Sequence, residues 1–152
     1  MSRRARATIH VAWRVRGRLL SDARVRAILR ETLAHGRRPG LELSVVFVGD
    51  AALARLHGRW LGDESRTDVI SFELSDAHSE QGELYVSATC ARRVAAERGI
   101  PAARELALYL VHGALHLCGH DDRAPRARAR MRRAEIRVLR ALGFADDPLP
   151  HP

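Results

Sequence analysis

A chain of 152 residues with 46% hydrophobic and 29% charged residues has the composition of a folded globular protein. It is long enough to bury one sizeable core, which excludes a disordered chain. Its 26 basic residues, all Arg, exceed 18 acidic ones to give a formal net charge of +8, a balance that favours polyanionic partners such as nucleic acid. The chain has no Lys and no Asn, as a GC-rich genome would produce, but codon bias does not account for the surplus of base over acid. Two cysteines, Cys90 and Cys118, do not make a disulfide framework. The basic N-terminus has no apolar stretch behind it, and no window approaches 18 consecutive apolar residues. We therefore expect one cytoplasmic domain spanning 1–152, with no membrane partner and a disordered tail from about residue 145.

Ile9, Val11, Trp13 and Val15 alternate with smaller or more polar residues, which predicts a half-buried strand over 8–15. Ser21 is placed to cap a helix with Val25, Ile28, Leu29 and Leu33 at helical spacing, ended by Gly36. The continuous apolar run 41–49 predicts a central strand. Asp50 follows as the expected N-cap of a second helix with Leu53, Leu56, Trp60 and Leu61 on one face. A polar loop over 62–66 leads to a third strand at 67–74, and a loop over 75–81 to a fourth at 82–88. Ser87 can cap a helix over 88–98 closed by Gly99, and Pro101 suits the first turn of the next, which runs to about Cys118. A last helix begins near Pro125 with Met131, Val138, Leu139 and Leu142 on one face and Gly143 at its end. The order β-α-β-α-β-β-α-α-α lacks the alternation of a doubly wound fold. It predicts an α+β domain, a small mixed four-stranded sheet covered by about five helices.

The chemistry concentrates in LVHGALHLCGHDD, residues 110–122. His112 and His116 stand four apart on a helix, so their rings leave the same face one turn apart. Gly119 lets the chain leave the helix and fold back, and Asp122 can then approach a shared ion from another direction. H-x-x-x-H-x-x-G-x-x-[H/D] is a metzincin-like ligand spacing, and three protein ligands leave the open position that catalysis needs. His120 competes with Asp122 for the third place. Cys118 lies between ligands but off their face, and reads as an apolar contact. Zinc proteases of this geometry carry Glu directly after the first His as general base. Here that residue is Gly113.

On these residues the sequence resembles the YbeY-type rRNA maturation endoribonucleases. Their signature H-G-x-L-H-L-x-G-Y-D-H is matched by His112, Gly113, Leu115, His116, Leu117, Gly119 and Asp121, and T-D-V-L-S-F by Thr67 to Phe72. Glu105, Gly82-Glu83-Leu84, Met131, Glu135 and Gly143 fall in register as well. The resemblance implies a zincin-like α+β fold and a metal-dependent, single-strand-specific endoribonuclease. It further implies action on the small ribosomal subunit, at the 3′ end of its 16S rRNA precursor, and in ribosome quality control. Two departures stand out. The signature tyrosine is His120 and its last histidine is Asp122, which by register takes the third ligand place. The family's L-N-x-x-Y-R-G reads Leu56-His57-Gly58-Arg59-Trp60-Leu61-Gly62, so the family arginine is Leu61 here. Arg59 and Arg66 are then the candidates to neutralise a phosphate, and Asp121 is a candidate general base. One zinc per chain held by His112, His116 and Asp122 is the expected centre. A zincin-type metallopeptidase and a non-catalytic RNA-binding assembly factor with a metal site are the rival functions.

Overall fold

The computed structural model describes residues 6–61 and 68–147. Strand β1 (Ile9–Trp13), helix α1 (Asp22–His35), strand β2 (Glu42–Val48), helix α2 (Asp50–Leu61), strands β3 (Val69–Glu73) and β4 (Gln81–Ser87), and helices α3 (Ala88–Arg98), α4 (Ala102–Leu117) and α5 (Pro125–Ala141) follow in the order expected. The sheet runs β1-β2-β4-β3, with β1, β2 and β4 parallel and β3 antiparallel to β4. The architecture is the expected α+β, five helices on one mixed sheet.

Alternation decides the two faces of that sheet. Leu43, Val45 and Phe47 of β2 and Leu84 and Val86 of β4 are buried and join Ile28, Leu29 and Leu33 of α1 and Leu106, Leu110 and Leu115 of α4 in the main core. On the opposite face Ile70 and Phe72 of β3 and Tyr85 of β4 meet Leu53 and Leu56 of α2 in a smaller cluster. Helix α4 is buried on most of its circumference, packed by α1, α3 and α5 as well as by β3 and β4. A helix enclosed in this way reads as apolar nearly all round, and residues 106–111, LALYLV, do.

Some ends differ from expectation. β1 stops at Trp13, whose ring stacks on Phe47 (centroids 3.8 Å apart) while its indole N–H donates to Asp22 at 2.8 Å. Asp50 is the first residue of α2 rather than the residue before it. Its carboxylate accepts from Ser87 Oγ (2.8 Å) and Arg93 (3.2 Å), which ties α2 to the start of α3. Ser21 and Ser87 do cap α1 and α3, accepting from the backbone N–H groups of Arg24 and Cys90. Of the tail, Ala145, Asp146 and Asp147 are held by Arg104, Arg140 and Arg98, and residues 148–152 lie outside the described residues. Among the described residues no helix is long and apolar enough to cross a membrane.

Candidate metal centre

Helix α4 carries His112 and His116 on one face, and how it ends decides what joins them. Cys118 closes the helix and Gly119 follows at φ +95°, a left-handed conformation that costs an L-residue energy. The N–H of Gly119 donates to His116 O (3.1 Å) and that of His120 to Leu115 O (3.0 Å), the paired bonds of a Schellman turn. The chain is thereby turned back over the last helical turn, and Asp122 returns to the histidines.

The Nε2 atoms of His112 and His116 lie 3.1 Å apart, and Asp122 Oδ2 lies 3.4 Å from the first and 3.5 Å from the second. A tetrahedral ion bound at 2.0–2.1 Å has ligand–ligand edges of about 3.3 Å. The three donors already stand at that spacing, so a zinc-sized ion fits with little movement. Among the described residues these three are the group of His, Cys, Asp and Glu side chains able to share one ion. His120 is not in that group. It faces a separate groove with Cys118 and Arg130, where burial, His35 and Arg130 hold its imidazole below the ordinary histidine value. Cys118 packs against the main core, and burial pushes its thiol up to about 11, far from the thiolate a metal needs. Both cysteines are free.

Glu135 of α5 completes the geometry. Its Oε2 is 2.9 Å from His112 Nδ1, and the residue is only 5% exposed. A carboxylate on Nδ1 fixes the tautomer with the proton there, leaving the Nε2 lone pair for an ion. Burial lowers the His112 pKa, but the Glu135 hydrogen bond and the nearby Asp68 and Asp122 outweigh it, so the net shift is upward. In the sequence Glu135 falls in register with the family but has no evident role, because its contact with His112 joins residues 23 apart on different helices. Its only signal was a lone acid on the apolar stripe of α5.

Two clefts flank the centre and share Asp68, His112 and Asp122 in their walls. One, of about 370 Å³, opens toward α5; the other, of about 480 Å³, opens along β3 with His57 and His116 in its lining. Burial pushes Asp68 above the usual carboxylate range, partly offset by His112. Asp121, in contrast, is exposed, accepts from the Arg123 N–H at 3.0 Å and lines the groove of His120 instead of either cleft. Arg59 is exposed on α2 and lines neither cleft. Arg66 lies outside the described residues, as do the side chains of Trp60 and Leu61.

The missing protease glutamate has a steric counterpart. A Cβ at Gly113 would sit 2.8 Å from Val69 Cγ2, 3.0 Å from Leu84 Cδ2 and 3.3 Å from Ser71 Oγ, and Ser71 Oγ donates to Gly113 O at 2.9 Å. Strand β3 occupies the space a glutamate would need.

The family model described as Endoribonuclease YbeY matches residues 18–143. The chain belongs to this family. YbeY endoribonucleases that it resembles include those of Chlorobium phaeovibrioides, 32% identical over 83% of this chain and 85% of that one, and Halorhodospira halophila, 42% identical over 74% and 77%. The one of Myxococcus xanthus is 38% identical over 72% of this chain, which spans only 40% of that protein's length. The solution structure of TM1509 from Thermotoga maritima shares the fold, with a TM-score of 0.59 at 18% identity, covering 94% of this chain and all of that one. The histidines, Glu135 and Gly113 all fall within the stretch that the YbeY model matches.

Proposed function

We propose that this chain is a zinc-dependent, single-strand-specific endoribonuclease that matures the 3′ end of small-subunit 16S rRNA and serves ribosome quality control in the cytoplasm. The observation that carries the reading is the His112–His116–Asp122 triangle, with edges of 3.1–3.5 Å, in a member of the YbeY family. A bound metal supplies Lewis acidity at the phosphodiester and acidifies water. Glu135 holds His112 in the ligating tautomer. We assign the proton of the attacking water to Asp68, which lines both clefts, while Asp121 lines the neighbouring groove.

The peptidase reading needs a glutamate where Gly113 is packed under β3. The assembly-factor reading needs a closed structural site, whereas two His and one Asp leave a position open. The deciding experiment is elemental analysis of the purified protein paired with cleavage of single-stranded and duplex RNA, with and without chelator. One zinc per chain and chelator-sensitive cleavage of the single strand are expected. Chelator-sensitive hydrolysis of casein with intact RNA would reverse the ranking, and iron or manganese in stoichiometric amount would replace zinc.

A further inference from the structure

We propose that Arg128 and Arg132 of α5 form the phosphate-binding wall of the cleft beside His112 and Asp122, a role for which the sequence offers Arg59 and Arg66. The inference rests on the RNA-cleaving reading and names the side chains that hold the strand.

The rotation of α5 follows from its core face. Met131, Ala134, Glu135, Val138 and Leu139 are buried, and Glu135 is fixed on His112 Nδ1. Arg128 and Arg132 are four apart, so they share a side of the helix, and Arg132 is three before Glu135. The packing that brings Glu135 to the histidine therefore brings both arginines to the same opening, and both line the cleft with Asp68, His112 and Asp122. Their Cα atoms are separated by a rise of about 6 Å along the helix. Two guanidinium forks so spaced can each take a different phosphate bidentately.

The charge pattern of α5 points the same way. It carries Arg126, Arg128, Arg130, Arg132, Arg133, Arg137 and Arg140 but a single acid, the inward Glu135. The pairs 126–130, 128–132 and 133–137 place like charges one turn apart, which works against an isolated helix. Helix stability does not account for such a pattern, and a polyanion seated along the helix does. Arg126, Arg130, Arg133 and Arg137 are exposed on the side away from the centre and supply long-range attraction. Arg128 and Arg132 are the members that reach the reacting site.

The test measures binding of a fluorescein-labelled single-stranded oligoribonucleotide to the 152-residue chain, with chelator present to prevent cleavage, across a salt series. The variants are R128A/R132A, R128K/R132K and R133A/R137A, the last removing the same charge from the far side of the helix. Losing two phosphate contacts should reduce the slope of log K against log salt by about 1.4. R128A/R132A is expected to bind at least tenfold more weakly with that smaller slope, while the variant as purified carries the same metal content as wild type. R128K/R132K should recover part of the affinity, and R133A/R137A should change it less than threefold. Equal losses in R128A/R132A and R133A/R137A would reduce the effect to net charge and overturn the proposal. So would unchanged binding in R128A/R132A, or a loss of metal or of cooperative unfolding in both R128A/R132A and R128K/R132K. If wild-type protein binds the oligomer through these arginines but never cleaves RNA when metal is restored, the enzymatic reading falls and the arginine wall stands.

Discussion

Asp122 reaches the histidines from beyond the helix, and it alone brings negative charge to the proposed ligand set. Asp122→Ala should strip most of the metal from the purified protein while His120→Ala leaves it in place, as read by elemental analysis. Glu135→Gln, which keeps the shape but weakens the hold on His112 Nδ1, should cost about 10–100-fold in metal affinity without removing a ligand. The pH dependence has a definite sign. The folded-state pKa of His112 is raised, so in metal-free protein its protonated form stabilises the fold fully below the unfolded value of about 6.5. That contribution is lost as pH rises through the higher folded value. Metal uptake runs the opposite way, since the ligand must lose its proton, and affinity should fall as pH drops through the same value. Metal-free wild type should thus lose melting temperature relative to Glu135→Gln as pH rises above the unfolded value of about 6.5, followed in parallel pH series. Within the site, the i, i+4 histidines and the returning Asp122 were legible because they follow one another along ten residues. Glu135, Asp68 and His57 were not. They come from α5, the entry to β3 and α2, and only packing shows that their side chains reach His112 or the clefts beside it.

Helix α4 must pass close under β3, and Gly113 is where it does so. Alanine is ordinarily better than glycine inside a helix by about 1 kcal/mol. Here the added Cβ would meet Val69 at 2.8 Å, and overpacking of this kind costs about 1–3 kcal/mol. Gly113→Ala is therefore expected to be destabilising in a urea titration, the reverse of what propensity alone dictates. Gly113→Glu should disrupt the β3 packing and yield no peptidase activity on casein. The nine elements of the described residues could be read in order from periodicity, caps and glycines, since those signals are local. The sheet order β1-β2-β4-β3 could not. Nothing in residues 81–87 says that this strand inserts beside β2 and leaves β3 at the edge, because both strands offer similar alternation. Asp50 was misplaced by one residue for a related reason. It looks like a capping side chain in sequence, but its carboxylate is engaged by Ser87 and Arg93 across the fold.

At the scale of the molecule, a net charge of +8 sets up a field that attracts polyanions from a distance, RNA under the proposed function. RNA binding should accordingly weaken steeply with added salt as bound counterions are released, and salt-insensitive binding would rule out an Arg–phosphate interface. A different consequence follows from where the ligands sit. His112 and His116 belong to the helix that packs against α1, α3, α5 and two strands, so these two side chains cannot be lost piecemeal while the core persists. An ion that binds only the folded chain then acts on the whole folding equilibrium by mass action, adding about 2.7 kcal/mol when its free concentration is a hundred times its dissociation constant. For a chain of this size that is a rise of about 5–10 °C in melting temperature. The midpoint should climb with the logarithm of free zinc in wild type and stay flat in His116→Ala. The thermal stability of this protein would then serve as a gauge of the metal around it.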